Sequence, residues 1–255
     1  MRFASLGSGS EGNALLVQQG RTLVMLDNGF GLTETEARLA RLGVTPADVT
    51  AIVVTHEHSD HIGGVARFSR KHGTRVWLTH GTARHVAPAS LLSDAYAFID
   101  PQSDFRIGDL LVRPYLVPHD ASEPVQFVFS DGVARLGVLT DTGCSTAHIE
   151  ASLSGVDALV LECNHDLDML MAGPYPAGLK KRVSGRFGHL DNQSAAALLK
   201  KLDCTRLRHV VAAHLSKQNN RRELATGALA DALGCGMDWI AVAEQDSGLD
   251  WRDVS

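Results

Sequence analysis

Between positions 56 and 61 the chain reads His56-Glu57-His58-Ser59-Asp60-His61, an HxHxDH pattern whose His56, His58, Asp60 and His61 put four metal-ligating groups within six residues. Three imidazoles this close would repel one another on protonation, and a purely structural segment gains nothing from them. Imidazole and carboxylate together suit zinc, manganese or iron. In an extended or turning backbone, residues i and i+2 point the same way, so His56 and His58 can share one ion. Asp60 and His61 fall where a helix starts and can turn toward a second. Two neighbouring ions need a shared ligand, and Asp141 is the natural one. A metal pair clamps the attacking and leaving oxygens of a displacement and makes hydroxide available near neutral pH.

Such groups converge only if rigid elements aim them, and strand ends do this well. Residues 51–55 form a compact β-branched run, a buried strand ending directly at His56. Residues 110–117 read as a strand ending before Pro118-His119, and residues 209–213 as one ending at His214. Residues 125–130 and 133–140 read as a hairpin across Asp131-Gly132, its second strand ending at Asp141. Residues 3–6, 14–18, 22–26, 75–78 and 158–162 are further strands, and 33–42, 62–71, 192–202 and 222–233 have helical spacing. This mixture of meanders and strand–helix units fits two packed sheets with helices outside.

The bulk numbers agree with one large α/β domain: 255 residues, 44% apolar and 21% charged. No apolar run approaches the roughly 20 residues that span a bilayer, and residues 1–6 lack a leader-like apolar core, so no membrane role and a cytoplasmic location are expected. Cys144, Cys163, Cys204 and Cys235 lie far apart, which argues against a cysteine zinc site and a disulfide scaffold. The net charge of −5 does not mark the whole surface as nucleic-acid-binding.

With His119, Asp141 and His214 downstream in order, the HxHxDH segment resembles the signature of the metallo-β-lactamase superfamily, over essentially the whole chain. The resemblance implies an αββα sandwich, one domain over residues 1–255, and a dinuclear site at one edge of the sheets. Carried onto these positions, it implies that His56, His58 and His119 bind the first ion. Asp60, His61 and His214 would bind the second, with Asp141 between; two divalent ions per chain follow, zinc first, with manganese or iron as alternatives. Gly7-Ser8-Gly9-Ser10-Glu11-Gly12-Asn13, Leu161-Glu162-Cys163-Asn164-His165-Asp166, Gly188-His189-Leu190-Asp191-Asn192 and His214-Leu215-Ser216-Lys217-Gln218-Asn219-Asn220 are similar to the YycJ/WalJ family. Its members are single-domain relatives of RNase Z and RNase J, regarded as 5′-to-3′ DNA exonucleases. Asp191 departs from that family's more usual serine.

His189 opens a predicted helix; likeness to RNase Z implies that it protonates the leaving oxygen or holds the phosphate, and a plain contact with a neighbouring loop is the alternative. His165 reads as a partner orienting a ligand or as structural. Asp27 reads as a hydrogen-bond partner of the HxHxDH loop or as a simple turn carboxylate. Ser8 and Asn13 read as a turn near the substrate, or only a turn. Lys180, Lys181, Arg182 and Arg186 precede His189, and Lys217, Arg221 and Arg222 follow His214. On both sides of two metals they would suit a phosphate backbone, whereas elsewhere they would be a solvated face.

The reading is metal-assisted phosphodiester hydrolysis of nucleic acid, DNA favoured, with Asp60 accepting the proton of water and His189 assisting departure of the 3′ oxygen. One rival is a small-molecule hydrolase of the same fold acting on a thioester, lactone, lactam or cyclic phosphodiester; the basic clusters argue against it. The interval from Asp141 to His214 is too short for the large β-CASP-type insert of RNase J-like enzymes. The other rival is a non-catalytic or redox metal protein, against which the complete ligand set and His61 after Asp60 speak.

Overall fold

The computed structural model describes residues 1–86 and 95–254. The first sheet contains β1 (Arg2–Gly7), β2 (Ala14–Gln19), β3 (Thr22–Leu26), β4 (Ala51–Val53), β5 (Arg75–Thr79) and β6 (Tyr96–Ile99). The second contains β7 (Phe105–Ile107), β8 (Leu110–Leu116), β9 (Val125–Ser130), β10 (Arg135–Leu139), β11 (Ala158–Glu162), β12 (His209–Ala213) and β13 (Ile240–Val242). The last strand, β14 (Leu249–Asp253), returns to pair antiparallel with β1, giving seven strands in each sheet. Hairpins join the antiparallel parts, while β3 to β6 and β10 to β13 run parallel. Strands in the middle of a parallel region have both faces covered, which is why β4 and β11 read as continuous apolar runs and are buried throughout.

Phe3, Val17, Val24 and Val53 of the first sheet meet Val112, Phe127, Phe129 and Val160 of the second in one core. Each fully buried side chain of this size contributes roughly 1.5–3 kcal/mol. Outside the first sheet lie α1 (Leu32–Arg41) and α3 (Val65–His72), whose Leu39 and Phe68 pack with Ile52 and Leu78. Outside the second lie α5 (Ala147–Leu153), α8 (Asn192–Leu199) and α9 (Arg222–Leu233), packed on Leu159, Leu161 and Val210. The architecture is the expected αββα sandwich. No helix among the described residues is long and apolar enough to cross a membrane.

Four boundaries differ by two residues or more from the sequence reading, the first being β4, which ends at Val53 and leaves Val54 and Thr55 outside the strand before His56. The hairpin after β9 turns later, because Asp131 Oδ1 accepts from the backbone N–H groups of Val133 and Ala134 at 2.9 and 2.8 Å, so β10 starts at Arg135. The helix expected over 62–71 is two pieces, α2 (Ser59–Ile62) and α3. Gly64 donates its N–H to Asn28 O at 2.8 Å, and a Cβ on Gly64 would lie 1.9 Å from Phe30 O. The crossing chain splits the helix and leaves α2 as a separate turn carrying Asp60 and His61. The helix from 192 stops at Leu199, three residues early. The pattern also passed over α4 (His80–Val86), α6 (Leu167–Ala172) and α7 (Ala177–Val183), each too short for periodicity to register.

Candidate metal centre and its cleft

Strands of both sheets end along one edge, and the candidate ligands leave from those ends. Asp27 follows β3, His56 to His61 follow β4, His119 follows β8, Asp141 follows β10 and His214 follows β12. Asp27, Asp141 and His214 have φ of 60°, 52° and 56°, the only non-glycine residues with positive φ among the described residues. Aspartate and histidine tolerate this conformation better than most residues, yet each instance costs about 1–3 kcal/mol. That all three fall at one sheet edge means the backbone is bent there to aim side chains.

The rings of His56, His58 and His119 surround one point, with centroids 4.6 to 4.9 Å apart and edges turned to faces. Beside them His61 Nε2 lies 2.9 Å from Asp141 Oδ2 and 3.4 Å from Asp60 Oδ2. His214 Nε2 lies 3.3 Å from Asp60 Oδ2 and 3.5 Å from Asp141 Oδ1. The donor atoms fall into four overlapping groups among the described residues: His56–His58–His119, Asp60–His61–His214, and two that share Asp141, one with His56 and His61 and one with Glu162, His189 and His214.

The outward nitrogens are held by neighbouring oxygens. His61 Nδ1 is 2.8 Å from Asp27 Oδ2, His56 Nδ1 is 2.9 Å from Thr55 Oγ1 and His119 Nδ1 is 3.0 Å from the Gly188 carbonyl. With those protons directed outward, Nε2 of each ring offers a lone pair inward. His56 Nε2 is buried without a hydrogen-bond partner, and Asp141 Oδ2 is buried with only the His61 ring against it. An orphaned ring nitrogen beside a buried carboxylate is costly unless a cation takes both, so these residues fit a metal.

The electrostatics agree. Burial, with His61 adjacent, pushes His56 well below the ordinary histidine range, and burial lowers His119 too. Burial opposes ionisation of Asp141, but His214 and His61 hold it well below the usual carboxylate range. Asp60 is likewise held low, by His214 and His61 against its burial. Burial would lower His61 and His214, yet the carboxylates around them, Asp141 foremost, raise both. Metal uptake would therefore expel protons from these two rings.

Asp27 is buried and accepts from Thr55 N and Oγ1, both at 2.8 Å, as well as meeting His61; it orients the loop from behind. Its neighbour Gly29 has no room: a Cβ there would lie 1.9 Å from Asp60 O. Gly29→Ala is therefore expected to displace the Asp60 backbone. Overpacking costs about 1–3 kcal/mol, which for a chain of this size lowers Tm by roughly 2–12 °C. Thermal unfolding checks this; an unchanged Tm would show that the loop yields freely.

His189 lies beside the cluster, its Nδ1 2.7 Å from Glu162 Oε1 and 3.3 Å from Asp141 Oδ1, its ring stacked on His214. It does not open α8 itself: Asp191 is the N-cap, its Oδ1 accepting from Gln193 N and Ser194 N at 2.8 and 2.9 Å, the task a serine would also perform. Burial would lower His189, but Glu162, Asp141 and Asp60 push it up to about 9. The sequence reading passed over Glu162, which is fully buried and also accepts from Thr142 N at 2.9 Å and Leu190 N at 3.2 Å. A glutamate ending a buried apolar strand was the available signal. Asp120 was passed over as well; its Oδ1 is 3.5 Å from His119 Nε2 and 3.8 Å from His58 Nε2.

Several placements correct the sequence reading. Ser8 and Asn13 are buried and do not present a substrate turn. Ser8 Oγ accepts from His214 N at 2.9 Å, and Asn13 N donates to Asp60 O at 2.8 Å, so they tie the two ligand loops together. His165 is buried and reaches His214 through Asn164, whose Oδ1 is 3.2 Å from His165 Nδ1 and whose Nδ2 is 3.1 Å from His214 Nδ1. Lys217 pairs with Glu11 at 2.7 Å and lines a different cavity, and Arg222 pairs with Glu244, so that basic group does not flank the metal groups. The other group does: Arg182 lines the cleft, while Lys181 and Arg186 are exposed nearby on the same segment.

That cleft has a volume of about 370 Å³. His58, Asp60, Asp141, His189 and His214 line it together with Arg182, Tyr175 and Leu179. Arg182 Nε donates to Asp120 Oδ2 at 2.6 Å across the rim.

Residues 7–205 match the family described as the Metallo-beta-lactamase superfamily. The chain is 34% identical over 236 residues to "Exodeoxyribonuclease YycJ" of Bacillus anthracis, covering 91% of this chain and 89% of that protein. It is 31% identical over 247 residues to "Exodeoxyribonuclease WalJ" of Streptococcus pneumoniae, covering 93% and 92%. Among solved structures, the metallo-beta-lactamase fold protein YhfI of Bacillus subtilis superposes with a TM-score of 0.75 at 14% identity, covering 98% of both chains.

Proposed function

This chain belongs to the metallo-β-lactamase superfamily, and from that premise we propose that it is a dinuclear metal-dependent phosphodiesterase that degrades DNA as a 5′-to-3′ exonuclease. The carrying observation is that one cleft holds both a carboxylate kept ionised by His214 and His61, Asp60, and a histidine whose Nδ1 is held by Glu162, His189. The relatives named exodeoxyribonucleases, matched over about nine-tenths of their length, support the substrate class.

His56, His58 and His119 would hold one ion, Asp60, His61 and His214 the other, and Asp141 would serve both. Zinc heads the candidates, with manganese or iron as alternatives for nitrogen and oxygen donors. The bound pair would polarise the phosphoryl oxygens and supply hydroxide near neutral pH. Asp60, ionised and partly open to the cleft, accepts the proton of the attacking water. Because His189 Nδ1 is committed to Glu162, its Nε2 is the atom that delivers a proton to the departing 3′ oxygen. Arg182, now held by Asp120, offers a guanidinium to the phosphate. A single nucleotide then leaves with its 5′-phosphate.

Digesting 5′-phosphorylated, end-labelled single- and double-stranded DNA and RNA tests the reading. Successive 5′-mononucleotides released from the 5′ end of DNA are expected. Inertness toward every nucleic acid together with fast thioester or lactone hydrolysis would give the protein to the small-molecule class.

Glu162→Gln isolates the proton donor. His189 works protonated, so activity persists below its pKa and is lost as pH rises through it. Bound dications would pull this limb to or below the value of about 9 set by the carboxylates. Removing the Glu162 charge should move it further down, toward the ordinary histidine range near 6.5. A kcat–pH profile whose alkaline limb stays in place would separate Glu162 from the proton transfer.

A further inference from the structure

Phe187 is 61% exposed, although its backbone is fixed. Its carbonyl accepts from Asp120 N at 3.0 Å, and the next carbonyl, of Gly188, accepts from His119 Nδ1. The ring is thus held in water next to Gly188 and His189, which line the cleft, so an aromatic face stands available there to a ligand. At the other end of α7, Tyr175 lines the cleft wall with Leu179. Lys181 and Arg186 between them are exposed and have no ion-pair partner among the described residues, and α7 has no acidic residue in its first turn. In a chain of net charge −5 this is a local concentration of free positive charge.

Aromatic faces interleaved with free cations match a single strand. Base–aromatic stacking is worth about 1–3 kcal/mol per base and tolerates any sequence, while the cations meet phosphates. A duplex interior hides its base faces; an unpaired end offers them.

We propose that α7 and its flanks form a platform for a single-stranded DNA end, with Tyr175 in the cleft and Phe187 at its rim stacking nucleobases and Lys181 and Arg186 following the phosphates. This rests on the nuclease reading of the adjacent cleft and adds to it that the strand enters unpaired.

The test is binding of metal-loaded protein to a 5′-phosphorylated single-stranded phosphorothioate oligonucleotide, roughly ten nucleotides long, which resists hydrolysis. Phe187→Ala and Tyr175→Ala should each raise Kd by about 5- to 150-fold, the equivalent of one lost stack. Phe187→Trp should bind tightly with its fluorescence quenched, and Phe187→Leu, apolar but without a π face, should behave like alanine. Replacing Lys181 and Arg186 with Gln should flatten the salt dependence. Full affinity in Phe187→Ala, full affinity in Phe187→Leu, or an equal loss on blunt duplex would each overturn the platform. So would a change in oligomeric mass with DNA affinity intact, which would make the rim a contact between copies. A parent protein that neither binds nor degrades any DNA would instead end the nuclease reading itself.

Discussion

Asp141→Ala is expected to lose both metal and turnover. Asp141 falls in one donor group with His56 and His61 and in another with Glu162, His189 and His214, its Oδ2 2.9 Å from His61 Nε2 and its Oδ1 3.5 Å from His214 Nε2. Its removal leaves His61 and His214 without the carboxylate that most raises them. Metal content should fall below two equivalents, and kcat should fall beyond about 100-fold, the range that supporting partners of a metal ligand reach. Metal analysis beside a DNA digestion assay reads both. A variant that keeps its metal and its rate would remove Asp141 from the shared position.

His189→Ala should divide the two effects. Its Nδ1 is committed to Glu162, so metal content should remain near normal. The rate on DNA should nevertheless fall by roughly 10²–10⁴-fold, the usual contribution of a positioned proton donor. The loss should shrink on a nitrophenyl phosphodiester, whose leaving group needs little protonation. Equal losses on both substrates would assign His189 to phosphate positioning, and an undiminished rate on DNA would take it out of the mechanism.

What the sequence disclosed and what it hid divide along range of interaction. The ligand-type residues were legible because four short apolar runs end at His56, His119, Asp141 and His214 and the HxHxDH segment follows the first of them, while their allocation to two ions came from the family resemblance. The sandwich was legible from the same runs. Glu162 was hidden because its meaning depends on His189, 27 positions later, and on two backbone N–H groups from other loops. Lys217 was misplaced because its partner Glu11 lies 206 positions away and no local pattern shows that the charge is already answered. Ser8 and Asn13 look like a substrate turn locally, and only the fold shows His214 and Asp60 hanging from them. The aromatic rim was hidden differently: nothing in Arg186-Phe187-Gly188 says that the ring stays in water.

The most direct measurement is a titration of metal-free protein with zinc or manganese while release of 5′-mononucleotides from 5′-phosphorylated DNA is followed. The two ligand groups around Asp141 predict no release at zero metal and a rate that climbs until close to two equivalents per chain, then stays level. Full release from metal-free protein, or a plateau at one equivalent, would contradict a dinuclear metal-dependent nuclease.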